Sequence, residues 1–197
     1  MNNTLKDDKI FTARISRHVL FNGLNSAIVL CRREPQEASE LINSLSQCLI
    51  YTSEHQAEGL VPLSYELSFI RSYLHIQSVR FGRRLKINFD LQETMGFLPA
   101  FTLQPLVDNV FHHVMLYTRE EVMLTVKTTR DTEGTIVTVQ DNRVGMEPSQ
   151  LENFWQKYRG RSLDILNAAL VKNDLPELAI DSVKGKGTSV SIRAKYL

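Results

Sequence analysis

Two apolar stripes at helical spacing, parted by one proline, constrain the start of this chain more tightly than any other feature. From about Asp8 to Arg33 there is no proline, and Leu20, Leu24, Ala27, Ile28 and Cys31 recur on one helical face. Pro35 interrupts the pattern, and Ala38, Leu41, Ile42, Leu45, Cys48 and Leu49 then form a second stripe that Thr52 continues. Two amphipathic helices with a short connection predict an antiparallel hairpin. Alone, such a hairpin leaves both stripes half covered. A homodimeric four-helix bundle through residues of about 8–57 is therefore expected, and a charge placed at Leu45 should dissociate it.

After Gly59 the pattern changes. Ser64 is expected to cap a third helix, with Glu66 in its first turn and Leu67, Ile70 and Leu74 on its buried face. Residues 85–91 alternate like a strand, and 101–115, following Pro99, read as a buried helix. Residues 122–128 and 135–139 are β-branched runs about a turn from Asp131 to Gly134, a hairpin signal. Helices are expected near 148–158 and 163–171, and strands over 178–183 and 189–194. The fold class is thus α+β: a helical hairpin over residues 1–58, then an α/β sandwich over 59–197 with helices on one side.

Composition narrows the functions available. A formal net charge of +1 supplies no global field, so no nucleic-acid partner is expected. No stretch approaches the roughly 20 apolar residues that span a bilayer, and no signal-peptide core is present, which predicts a cytoplasmic protein. The stretch before His18 is too short for a sensor domain, so any membrane link is expected through a segment outside this sequence. Cys31 and Cys48 would lie roughly 14 Å apart along a hairpin turning at Pro35, too far for a disulfide. Both are expected to be reduced and mostly packed. His112 and His113 are adjacent, while His55 and His75 stand alone, so metal-ligand spacing is absent.

Four segments could carry chemistry. His18 lies about 140° from the centre of the first stripe, in line with Asn22 and Asn25, and is expected to be exposed. An exposed imidazole can attack a phosphoryl group, although most exposed helix histidines do nothing. L-Q-P-L-V-D-N (103–109) sets a carboxylate beside an amide, hard oxygens suited to Mg²⁺, or simply a polar helix face. D-N-R-V-G-M (141–146) puts Asp141 at a strand's end, with Gly145 permitting close backbone approach, or is a plain polar loop. G-K-G-T (185–188) could cradle phosphates with its N–H groups, or be an ordinary hairpin turn.

Order and spacing join these weak signals. S-R-H-V-L-F-N-G-L-N (16–25) resembles the I-N-P-H-F-L-F-N-x-L-N signature of LytS/YehU-type sensor histidine kinases. The resemblance runs on through L-S-Q-C-L-I-Y (45–51), V-P-L-S-Y-E-L (61–67), Y-L-H-I-Q (73–77), R-F (80–81), L-Q-P-L-V-D-N, D-N-x-x-G-M and G-K-G-T-x-V-x-I (185–192). It covers nearly the whole chain and implies a GHKL (Bergerat) ATPase sandwich behind a dimerising hairpin. It implies ATP and Mg²⁺ as cofactors, His18 as phosphoacceptor, Asn109 as the Mg²⁺–ATP ligand and Asp141 as the adenine-recognising carboxylate. Gly145, Gly185, Gly187 and Thr188 would line the nucleotide pocket. The implied function is autophosphorylation on histidine, then transfer to a response regulator of the LytTR type.

Departures from the pattern cluster at that pocket. Arg17 replaces a proline; the family's L-V-E-N-A-I-K-H-G reads L-V-D-N-V-F-H-H-V, putting His112 for lysine and Val114 for glycine. The segment S-L-D-I-L-N-A-A-L (162–170) lacks a glycine, an asparagine and an arginine of the family. Arg143 stands where a glycine is usual, so a Cβ penalty at positive φ is expected, with partial obstruction of the pocket favoured over a guanidinium that swings outward to the phosphates in place of the family lysine. The alternative reading is accordingly a degenerate kinase, a phosphotransfer or binding module without efficient ATP turnover. An anti-sigma-type serine kinase on the same sandwich is disfavoured, because it needs no hairpin bearing His18.

Overall fold

The computed structural model describes residues 17–55, 59–115, 118–157 and 159–196. The part of the expected first helix before Arg17, and Tyr158, lie outside them. Helix α1 (Arg17–Arg33) carries Arg32 and Arg33 in its last turn, where cations suit the helix dipole. One non-helical residue, Glu34, separates it from α2 (Pro35–Glu54), which has its proline at the first position and Glu37 in its first turn. The expected antiparallel hairpin forms. Gly23 faces Leu45, and a Cβ at Gly23 would stand 2.9 Å from Leu45 Cδ2 and 3.4 Å from Ile76 Cγ2.

Ile76 belongs to α3 (Leu63–Phe81), so three helices close on that glycine. This third helix changes which faces of the hairpin are buried. Val19, Gly23 and Ala27 form the inner face of α1, whereas Leu24 and Ile28, two members of the expected stripe, are exposed beside Phe21. On α2, Leu41, Leu45 and Cys48 are buried, while Ile42 and Leu49 are exposed. Leu45 is therefore a core residue of the single chain, and a charge there would damage the fold instead of dissociating a dimer. Cys31 is exposed, not packed, and Cys48 is buried; both are free, and burial pushes the Cys48 thiol up to about 12.

Strands β1 (Leu60–Pro62), β2 (Leu85–Leu91), β3 (Phe97–Pro99), β4 (Val122–Arg130), β5 (Gly134–Asp141), β6 (Ala179–Val183) and β7 (Gly187–Lys195) form one mixed sheet. Its order is β1-β3-β7-β5-β4-β2, with β6 also on β7. Only the β2–β4 pair is parallel. The short β1 and β3 were not legible as strands, since three residues show no alternation. Along β4, Val122, Leu124, Val126 and Thr128 are buried and Met123 and Lys127 are not, the period of a sheet covered on one face. Val126 pairs with Val139, and Val139 with Val190, carrying that apolar face across three strands.

Helices α3, α4 (Leu103–Val110) and α7 (Ser162–Lys172) supply the other half of the core. Leu74, Leu103, Leu106, Leu166 and Leu170 are fully covered, each contributing about 1.5–3 kcal/mol by burial. The region expected as one helix over 101–115 is α4 followed by a π turn, Phe111–Met115. The region near 148–158 splits into α5 (Pro148–Glu152) and α6 (Phe154–Lys157). Ser64 caps nothing: α3 begins at Leu63 after Pro62, without a side-chain cap.

Candidate nucleotide site

Strand β5 ends at Asp141, whose position opposite Leu124 puts it on the helix-covered face of the sheet. The carboxylate is 3% exposed and accepts two backbone N–H groups, Arg143 on Oδ1 at 2.8 Å and Thr188 on Oδ2 at 3.3 Å. Burial raises its pKa, and those two N–H groups oppose the rise. Asp141 thus ties the loop after β5 to the start of β7.

The glycines around it are required by close backbone approach. Gly187 has φ +114, and a Cβ there would lie 2.0 Å from the Asp141 carbonyl oxygen. Gly145 has φ +60, and its Cβ would lie 2.0 Å from the Val183 carbonyl oxygen. Gly185 also has positive φ, but stands in open space; its N–H donates to Val144 O at 2.7 Å. Ser182 holds the two loops together: its hydroxyl accepts from Met146 N at 2.9 Å, donates to Gly187 O at 3.0 Å and lies 2.8 Å from Thr188 Oγ1. Asp141, Gly145, Gly185, Gly187 and Thr188 are therefore brought together, with Ser182 as a tie that no sequence signal marked.

Asn109 sits in the last turn of α4, a helix that packs on β5. It is partly exposed, and its amide has no hydrogen-bond partner among the described residues. Its neighbour Asp108 is engaged: Tyr73 Oη donates to Oδ1 at 2.6 Å, and Gln77 Nε2 donates to Tyr73 Oη at 3.0 Å. No group of three or more His, Cys, Asp or Glu among the described residues could hold a metal by itself. A divalent cation near Asn109 would need ligands from a nucleotide's phosphates, which is how Mg²⁺ is commonly held.

Arg143 departs from expectation in two ways. Its φ is not positive: among the described residues only Phe101 and Asp174 combine a side chain with positive φ. Its guanidinium is taken up at the start of β4. Nε donates to Glu121 O at 2.7 Å, Nη2 donates to the same oxygen, and Nη1 pairs with Glu120 Oε2 at 2.6 Å.

His18 is exposed on α1, with Asn22 Nδ2 lying 3.2 Å from both ring nitrogens. The asparagine four residues on is the neighbour its spacing predicts. None of the five pocket residues is among its hydrogen-bond partners. His18 and those five residues lie in separate parts of the chain.

The sheet covered on one face, with paired glycine loops at the end of β5, is the architecture of histidine kinase ATPase domains. A solved structure of the histidine kinase AdeS from Acinetobacter baumannii superposes with a TM-score of 0.53, covering 90% of this chain and 93% of that one at 12% identity. Residues 8–85 match the family described as histidine kinase, and residues 100–196 match the histidine kinase-, DNA gyrase B-, and HSP90-like ATPases. The sensor protein LytS of Bacillus subtilis is 30% identical over 96% of this chain and 34% of its own length. The sensor histidine kinase BtsS of Escherichia coli is 30% identical over 71% of this chain and 25% of its own length. By its two family matches, which together span most of it, this chain belongs to the histidine kinases, and the second match implies ATP binding. It spans about a third of LytS and a quarter of BtsS. Among the described residues no helix is long and apolar enough to cross a membrane.

Proposed function

We propose that this chain is the ATP-dependent core of a two-component sensor kinase, phosphorylating His18 and passing the phosphoryl group to a response regulator. The observation that carries the reading is the pinning of Asp141 by N–H groups of the loop after β5 and of the start of β7, with Asn109, whose amide has no hydrogen-bond partner among the described residues, on the helix packed behind it. Asp141 would recognise the adenine, Asn109 would help hold Mg²⁺ with the phosphates, and Gly145, Gly185, Gly187 and Thr188 would line the pocket. The bond from the γ-phosphorus to the bridging oxygen breaks, a P–N bond to His18 forms, and ADP leaves with the electron pair. In the second step the P–N bond breaks as a regulator aspartate oxygen takes the phosphoryl group.

The exposed apolar row Phe21, Leu24 and Ile28 on α1, with Ile42 and Leu49 on α2, supports a homodimer through the hairpin. Residues 1–58 would then be the dimerising phosphoacceptor unit and 59–197 the ATP-binding unit. A cytoplasmic location, with the regulator of LytTR type, accords with similarity to LytS. The degenerate reading is not favoured, since the histidine kinase and ATPase family matches and the similarity to LytS support the active one. Incubation with γ-labelled Mg-ATP should give acid-labile, base-stable label that His18→Ala abolishes. Acid-stable label, or none, would count against the proposal.

A further inference from the structure

Glu66 is the most deeply buried charged side chain described, fully inaccessible although it lies in the first turn of α3. It serves another helix. Thr102, the residue preceding α4, makes no side-chain cap, and Glu66, 37 positions before Leu103, takes that role. Its Oε2 accepts Leu103 N at 2.8 Å and its Oε1 accepts Phe101 N at 2.7 Å, so a carboxylate sits on the N-terminus of α4. The same Oε1 accepts the hydroxyl of Tyr51, from the last turns of α2. One carboxylate therefore joins the hairpin to the helix whose last turn holds Asn109.

The junction is strained as well as bonded. Phe101 has φ +63, a region that a bulky side chain occupies at a real cost. Besides its N–H bond to Glu66, its ring packs edge-on against Tyr51, centroids 5.1 Å apart, and against Phe69 at 5.6 Å. Tyr51 in turn stacks on Phe69 at 4.6 Å and on His55 at 4.3 Å. The strained backbone ahead of α4 is thus held by a residue of the hairpin and a residue of α3 together.

We propose that Glu66 is a positioning residue, and that its bond from Tyr51 sets the hairpin bearing His18 in register with the helix bearing Asn109. This rests on the assignment of His18 and Asn109 given above. If the bond is lost, the pocket keeps its own ties through Asp141 and Ser182, while the register between hairpin and pocket loosens. Misplacement of this kind costs reaction rate more than ground-state binding.

The test uses the full chain with Tyr51→Phe, which removes one hydroxyl and keeps the ring packing, and Glu66→Gln, which sets an amide N–H against the N–H of Leu103 or Phe101. Without nucleotide, amide exchange over residues 101–106 should quicken about tenfold in Tyr51→Phe, with β4 and β5 unchanged. With Mg-ATP, Tyr51→Phe should keep its Mg-ADP affinity within about twofold and label His18 roughly tenfold more slowly at saturating ATP. Glu66→Gln should both quicken exchange and weaken Mg-ADP binding. Unchanged exchange at 101–106, or labelling as fast as in the parent chain, would overturn the proposal. If the parent chain neither binds nucleotide nor labels, the kinase reading fails by itself, and the exchange arm still decides whether Tyr51 holds α4.

Discussion

The Tyr73 hydroxyl donates to Asp108 Oδ1 at 2.6 Å, so the carboxylate beside Asn109 is fixed by a residue 35 positions earlier in the chain. Burial raises the Asp108 pKa from its ordinary 3.8, against the lowering effects of Tyr73, His112 and Gln104. Gln104 Nε2 lies 3.5 Å from Oδ2, a weak contact, and Gln104 Oε1 is buried without a partner. Because the folded form holds this proton more tightly, the stability it contributes is complete below 3.8 and is lost as pH rises through the folded value.

Asp108→Asn tests that linkage. The asparagine still accepts from Tyr73, and a flipped Gln104 amide can accept from its Nδ2. The variant should lose less stability than the parent as pH rises above 3.8, measured by denaturant unfolding. A profile parallel to the parent's would show that Asp108 does not titrate as its burial requires.

The hairpin's two kinds of apolar residue should respond differently to a charge. Ile28 is 69% exposed, so Ile28→Glu should leave folding intact and shift light scattering at micromolar concentration from dimer to monomer. Leu45→Ala, against Gly23, should instead cost about 2–5 kcal/mol of stability. An Ile28→Glu protein that remains dimeric would place the dimer contact elsewhere.

Three glycines rank by what a methyl group would meet. Gly187→Ala and Gly145→Ala put a Cβ 2.0 Å from a carbonyl oxygen, so the loops must move and nucleotide binding should fall at least about tenfold. Gly185→Ala meets nothing within 4 Å, and only its positive φ opposes it, at roughly 1 kcal/mol. Calorimetry with Mg-ADP on the three variants gives the order directly.

Arg143→Gly should weaken nucleotide binding, not tighten it. The guanidinium anchors the loop after β5 to the residues ahead of β4, and the same residue's N–H holds Asp141. The ion pair with Glu120 is exposed and worth less than about 1 kcal/mol, so most of the effect should survive high salt. Tighter binding in the glycine variant would revive the obstruction expected from sequence.

Local periodicity determined a good deal of this protein by itself. The hairpin turning at Pro35, the strand over 85–91, the β4–β5 hairpin and the exposure of His18 beside Asn22 all follow from spacing, because each depends on neighbours a few residues away. The grouping of Asp141 with the glycine loops was legible only through motif resemblance, since Asp141 and Thr188 stand 47 positions apart in the chain. What no pattern could reveal is decided by long-range packing. A third helix selects Gly23 and Leu45 as inner positions and leaves Leu24 and Ile28 outside. Glu66, placed in a first turn as if to serve its own helix, is aimed at another one because Phe101 and Leu103 are brought over it. Arg143 finds Glu120 and Glu121 only once β4 and β5 are paired, and a cation's reach cannot be read from its place in a motif. Sequence fixes the period of each element, and tertiary structure decides which face of it meets which partner, because burial and hydrogen bonding are satisfied between elements and not within them.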